Sequence, residues 1–403
     1  MNLFAILLSA IFCITTNPGE NCGREMNVSW SVDAVTVESY VTCALETDSW
    51  DKAVRTDSRG RYCAAYNNVW SKKADGQNFY EDARFFKHEL CLKGLRPDTR
   101  YKYRVYAVSA DGDTAVSDVY RFRTGGASRW KACVISDFHC YPPLPKRLEA
   151  AMGMMDVMEK RFGYDWVINL GDVCAWGGSH SFWKEMYTER QFRDHMWAGV
   201  NGNHDNMTRN YVLSNEFFRN ATANPLNGYD GEMGVCYWFR YGDALFVMLN
   251  NEDMRDSTGF AKACAWVEKV LDENSDAKYK VVCEHYQWFF GTDGTTSQYG
   301  RWHELFERHG VNLALAGNNH IYVRARSEGV TYVQTPSSDD ERGQNPVKGL
   351  AANGDKIDFR WNEGPHTVGA VLMDVSPRRM RLSLLDRNGK VLDRVVVKPL
   401  KHN

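Results

Sequence analysis

The side chains able to do chemistry stand at the ends of apolar runs. Trp130-Lys-Ala-Cys-Val-Ile-Ser136 leads into Asp137-Phe138-His139, and Trp166-Val-Ile-Asn-Leu170 into Gly171-Asp172. A third run closes on Gly202-Asn203-His204-Asp205, a fourth on His285, and Val311-Asn-Leu-Ala-Leu-Ala leads into Gly317-Asn318-Asn319-His320. Asp137, His139, Asp172, Asn203, His285, Asn318 and His320 offer carboxylate, amide and imidazole donors, a set that suits Fe, Mn or Zn better than Ca. Gly-Asn is ordinary turn chemistry and one buried His is usually a satisfied core residue. Five strand ends with the same chemistry point to one metal centre. His204 is a titratable acid/base, and Asp205 after it is of the type that fixes an imidazole tautomer.

The elements that must position these residues are strands alternating with helices. Arg147 to Phe162 and Ser181 to Arg193 are amphipathic at helical spacing, which gives an α/β layer architecture with ligands gathered at the carboxyl ends of the strands. From about Asn27 to Thr124 the pattern is instead short alternating strands, among them Ser39–Leu45, Phe85–Leu92 and Val119–Thr124. Leu95, Pro97, Thr99, Tyr101, Tyr103 and Val105 fall on alternate positions, and the run resembles the fibronectin type III signature, where a tyrosine corner closes an all-β sandwich. Gly125-Gly126-Ala127-Ser128 is the linker between the two units.

The chain has 403 residues and a formal charge of −2, so no basic footprint marks a nucleic-acid-binding surface. Leu3 to Thr15 has the size of a signal-peptide core, although no Lys or Arg precedes it. The reading is a signal peptide over 1–19, a secreted or periplasmic location and no stable membrane span. The eleven cysteines fit an oxidising compartment. Cys22, Cys43, Cys63 and Cys91 have the number for two bridges, with the pairing open. Cys133, Cys283, Cys140 and Cys174 read as small packing residues. No phosphate loop, Gly-x-Ser-x-Gly elbow or His-Glu-x-x-His is present.

In order and spacing, Asp-x-His, Gly-Asp, Gly-Asn-His-Asp, a strand ending in His and Gly-x-x-His resemble the calcineurin-like metallophosphoesterases, and the β-sandwich ahead of them resembles the purple acid phosphatase layout. The resemblance implies a sandwich over 22–125 and a four-layer α/β domain over 129–400, with β-sheets flanked by helices. It implies that Asp137, His139, Asp172 and His320 hold a first metal. Asp172 would bridge, and Asn203, His285 and Asn318 would complete a second. A metal-bound hydroxide would attack a small phosphate ester, with His204, held by Asp205, serving the leaving oxygen. Trp176, Tyr286, Asn319 and Asn203 are the expected pocket walls. His180, His366 and a rim loop over 335–343 lie further out.

The sequence departs from the purple type at four places. His139 replaces a Gly. Ala175 stands where a Tyr binds iron, so the purple charge-transfer band is expected to be absent. Asn318 replaces a His ligand, and no further His occurs between Gly291 and Ser297. The purple acid phosphatase layout makes a monoesterase the leading reading. A phosphodiesterase acting on nucleotides or lipid head groups, and a binding protein with a degenerate second metal site, are the alternatives. Asn27, Asn206 and Asn220 head glycosylation sequons.

Overall fold

The computed structural model describes residues 10–69, 79–126, 129–252, 254, 256–290, 294–340, 346–349 and 356–400. Two large sheets carry the site. One has ten strands, in the order Val391–Val397, Arg379–Asp386, Gly369–Ser376, Trp130–Ile135, Trp166–Asn169, Met196–Gly199, Ile11–Pro18, Met26–Val32, Phe79–Leu92 and Arg61–Val69. The other has eight, with Tyr237–Tyr241, Ala244–Met248, Tyr279–Cys283 and Leu313–Ala316 followed by Val330–Gln334, Tyr322–Ser327, Ile357–Asn362 and Val347–Gly349. Strands 130–135, 166–169 and 196–199 are parallel, as are 244–248, 279–283, 313–316 and 330–334. Their near-continuous apolar sequence follows from burial on both faces.

The two sheets face each other across one core that includes Trp166, Ile168, Phe239, Phe246, Tyr279 and Leu315. Helices close the outer faces. Lys146–Phe162 buries Leu148, Ala151, Met152, Met155 and Met158, a stripe at helical spacing, against the first sheet. Ser257–Glu273 starts at Asp256, whose carboxylate accepts from the Thr258 and Gly259 amides, and it buries Ala263, Trp266, Val267 and Val270 on the second sheet. Helix, sheet, sheet and helix make the four layers the resemblance implies. The helix expected over 181–193 is broken into His180–Met186 and Arg190–Arg193.

The all-β part has its own five-stranded sheet, with Glu38–Leu45 beside Arg100–Val108, and the Tyr101 hydroxyl accepts from the Arg96 amide at 2.8 Å to close the tyrosine corner. Its opposite sheet is not separate. Strands 26–32, 79–92 and 61–69 continue the ten-stranded sheet, joined to the α/β part by Ile11–Pro18, which pairs antiparallel with 26–32 and parallel with 196–199.

Residues 11–18, which fall within the expected leader, form a strand in the core. Cys13, Ile14, Thr15, Thr16 and Asn17 are buried, and the Asn17 amide donates to Trp197 O at 3.0 Å while its oxygen accepts from Ala223 N at 2.9 Å. The strand fills the gap between two others, and its apolar character reflects that place. Residues 1–9 of the expected leader lie outside the described residues. The cysteines form no bridge, since all eleven are free thiols. Cys43 sits on the five-stranded sheet and Cys63 packs on Phe85 in the other. The sequon residues Asn206 and Asn220 are buried, and the Asn27 amide donates to Pro18 O and Ala223 O. No helix among the described residues is long and apolar enough to cross a membrane.

Candidate metal centre

All five predicted strand ends open on one site between the carboxyl edges of the two sheets. Strands 130–135, 166–169 and 196–199 bring Asp137, His139, Asp172, Asn203 and His204 from the first. Strands 279–283 and 313–316 bring His285, Asn318 and His320 from the second. The chain leaves these strands in a backbone form that side chains rarely adopt. Asp137, His139, Asp172, Asn318 and His320 have φ of 55°, 45°, 53°, 66° and 57°. Such strain costs of order 1–3 kcal/mol per residue and persists where the surroundings over-determine it.

One carboxylate sits at the middle. Asp172 Oδ2 is 3.2 Å from His285 Nε2 and 3.3 Å from His139 Nε2, and its Oδ1 accepts from the His204 amide at 2.8 Å. Asp137 Oδ1 lies 3.6 Å from His320 Nε2 and is buried with no hydrogen-bond partner, while Oδ2 accepts from Ser136 Oγ and from the Asn318 amide. At this site three sets have ligand atoms mutually within 4.8 Å: Asp137, His139 and His320; Asp137, Asp172 and His285; His139, Asp172 and His204. A buried carboxylate oxygen with no donor, facing imidazoles, fits a cation.

Electrostatics agree. Burial would lower the His285 pKa, but the Asp172 carboxylate pushes it up to about 10. Burial would raise Asp172, yet His285 and His204 hold it well below the usual carboxylate range. Burial and repulsion from Asp172 raise Asp137 despite His285. The site draws positive charge to itself.

The outer contacts were not legible in sequence. His285 Nδ1 is 2.7 Å from Leu170 O, and the Asn251 side chain accepts from the His285 and Tyr286 amides at 3.0 and 3.1 Å. Fully buried Asp339 lies 3.4 Å from His139 Nδ1 and 3.5 Å from Arg147 Nε. That segment, read as a rim loop, is mostly structural. Ser337 Oγ donates to Asp137 O and the Ser338 amide to Ser136 O, with residues 341–343 outside the described set. Only a charge run marked it in the sequence.

The predicted acid/base pair is corrected. Asp205 does not hold the His204 ring; its oxygens accept from the Cys174 and Gly202 amides at 2.9 and 3.1 Å, bracing two ligand loops. Burial and the charge of Asp172 push Asp205 up to about 7. The His204 ring is fixed by Nδ1, 2.7 Å from Ala175 O. Asn318 reaches the site through its backbone, while its side-chain amide donates to Gln287 Oε1 at 2.5 Å. Asn203 and Asn319 are half-buried. Trp176 stands 5.2 Å from the His204 ring, and the Tyr286 hydroxyl is occupied by Glu252 at 2.5 Å. His180 is buried and stacked on Phe85 at 3.9 Å, and His366 is exposed with Nδ1 2.6 Å from Asp340 O. Cys140 and Cys174 are buried neighbours across a short bridge between the loops of His139 and Asp172. A separate cavity of about 720 Å³ lies at Lys87, Arg219 and Asn224, and no candidate ligand lines it.

Residues 13–124 match the family described as the purple acid phosphatase N-terminal domain, and 131–322 the one described as calcineurin-like phosphoesterase. The first match begins inside the buried strand 11–18. A protein of Mycobacterium tuberculosis, found in two strains, is 24% identical over 341 residues, covering 76% of this chain and 60% of its own length. The chain thus spans about 60% of the curated relatives it matches. Among solved structures, a purple acid phosphatase from yellow lupin (Lupinus luteus) seeds superposes with a TM-score of 0.74 at 14% identity over 97% of this chain and 74% of that one. PhoD gives 0.60 at 12% identity over 98% and 93%. GAP50, the anchor in the inner membrane complex of Plasmodium, gives 0.51 at 12% over 68% and 90%. These likenesses concern the fold.

Proposed function

We propose, from the match of residues 131–322 to the calcineurin-like phosphoesterase family, that the chain hydrolyses small phosphate monoesters at a centre of two metal ions. The observation that carries the reading is Asp172, one carboxylate within 3.3 Å of imidazoles from both sheets. That is the position of a ligand shared by two cations. Asp137, His139 and His320 would hold one ion and His285 the other, with Asn203 beside them. Bound metals would supply Lewis acidity and an acidified water for in-line attack.

The chain's own residues do the rest. The Ala175 carbonyl accepts from Nδ1–H and fixes the His204 ring in one orientation, so the ring in its protonated form delivers the hydrogen of its other nitrogen to the leaving oxygen and ends neutral. The Asn203 side chain, one residue earlier on the same loop, orients the phosphoryl group.

The test is a rate comparison on the full chain loaded with Mn, Fe or Zn, using para-nitrophenyl phosphate beside its bis-ester, with a chelated control. Faster monoester cleavage that is lost on chelation is the expected result. Faster diester cleavage would replace it with the phosphodiesterase reading. A binding protein is the second reading, favoured by the Asn318 amide being engaged by Gln287 where the family uses an imidazole. Metal binding without turnover of either ester would establish it.

A further inference from the structure

Beside His204 stands a wall that the ligand set does not use. The Trp176 ring lies 5.2 Å from the His204 ring, and Tyr211 meets Trp176 nearly at right angles at 6.5 Å. The Arg209 guanidinium lies over the Trp176 ring at 5.3 Å. The loop that carries Arg209 and Tyr211 is tied at its base. Thr208 N donates to Val212 O at 2.9 Å, Val212 N to Thr208 Oγ at 3.1 Å, and Met207 bridges to Leu213. At its tip Tyr211 has φ 62° and is 73% exposed. A tyrosine held in left-handed backbone and turned to solvent does nothing for the core. Three planar groups therefore follow one another outward from the imidazole assigned to the leaving oxygen.

We propose that Trp176, Arg209 and Tyr211 form a leaving-group subsite that selects phosphoesters whose alcohol carries a flat aromatic ring over aliphatic ones of the same size. The inference rests on the phosphoesterase reading of the adjacent centre. Aromatic faces and a guanidinium plane stack on any flat ring and gain little from a puckered one. Such a subsite reads flatness and leaves ring substituents unread.

The test uses two non-hydrolysable probes of equal charge and carbon number, benzylphosphonate and cyclohexylmethylphosphonate, titrated calorimetrically into the Mn-loaded full chain. Benzylphosphonate is expected to bind about tenfold tighter. Tyr211→Ala, at an exposed position, and Trp176→Leu are each expected to shrink that ratio to about threefold or less. Equal affinities for the two probes, or a ratio that survives both substitutions, would overturn the subsite, as would no binding of either. Neither probe is turned over, so the outcomes separate. Equal binding with para-nitrophenyl phosphate hydrolysed removes the subsite and keeps the phosphoesterase. Discrimination without hydrolysis of any ester keeps an aromatic phospho-ligand site and removes the phosphoesterase.

Discussion

Asp172 and His285 sit 3.2 Å apart in a buried setting that favours the charged form of both. A metal ion that takes His285 as a ligand would displace any proton on the coordinating nitrogen. His204 shares the same carboxylate through its backbone, and its ring belongs to a set within ligand reach. Two substitutions sort these roles. His204→Ala is expected to lower turnover roughly 100-fold while metal content by atomic absorption is unchanged; loss of metal would instead assign His204 as a ligand. Asn318→His is expected to tighten the second metal, read as a lower dissociation constant in a chelator competition, because imidazole is the better transition-metal donor. Unchanged affinity would mean position 318 serves only through its backbone N–H. The ligand residues were legible because Asp, His and Asn recur after apolar runs. Asp339, Asn251 and Gln287 were not, since each reaches the site from a segment whose local sequence carries only loop chemistry.

Strand ends set the geometry, and the close approach of the two sheets depends on glycine at one point above all. A Cβ on Gly317 would meet Ser136 Oγ at 2.1 Å and Asp137 Oδ2 at 2.8 Å, so the turn into Asn318 and His320 can pass the first ligand loop only without a side chain. Gly317→Ala is expected to destabilise the protein by about 1–3 kcal/mol, as overpacking does, and to reduce metal content together with turnover. A urea midpoint and a metal assay on the same sample check both. Strand and helix existence was readable from periodicity, as for 146–162 and 279–283. Pairing between distant strands was not, because apolar runs of equal length look alike whether they head a chain or fill a gap in a sheet. That is why Leu3 to Thr15 read as a leader, although the described part of it is a buried strand.

Across the molecule, two buried histidines tie stability to pH. His88 stacks on Trp30 at 5.3 Å and burial pushes it down to about 4; His180, stacked on Phe85, is pushed down to about 3, by burial first and then by the Lys184 charge. Both are neutral in the fold, whereas the unfolded rings take up a proton near pH 6.5. Their contribution is complete above about pH 6.5 and is lost as pH falls toward the folded values. The urea midpoint is expected to drop between pH 7 and 4.5. His88→Phe, which keeps a ring on Trp30, is expected to flatten that drop by about 1–3 kcal/mol. An equal slope in wild type and variant would show that other groups carry it.

The strand Ile11–Pro18 pairs at one edge with 26–32 and at the other with 196–199. The second partner is made about 180 residues later, so during synthesis the earliest described strand keeps one open edge until that stretch has emerged. The β-sandwich cannot close its account with solvent until the α/β half has supplied Met196 to Gly199. A ribosome that stalls between the two halves would leave a long unpaired β-edge waiting, and the burden of shielding it falls on chaperones rather than on the sequence.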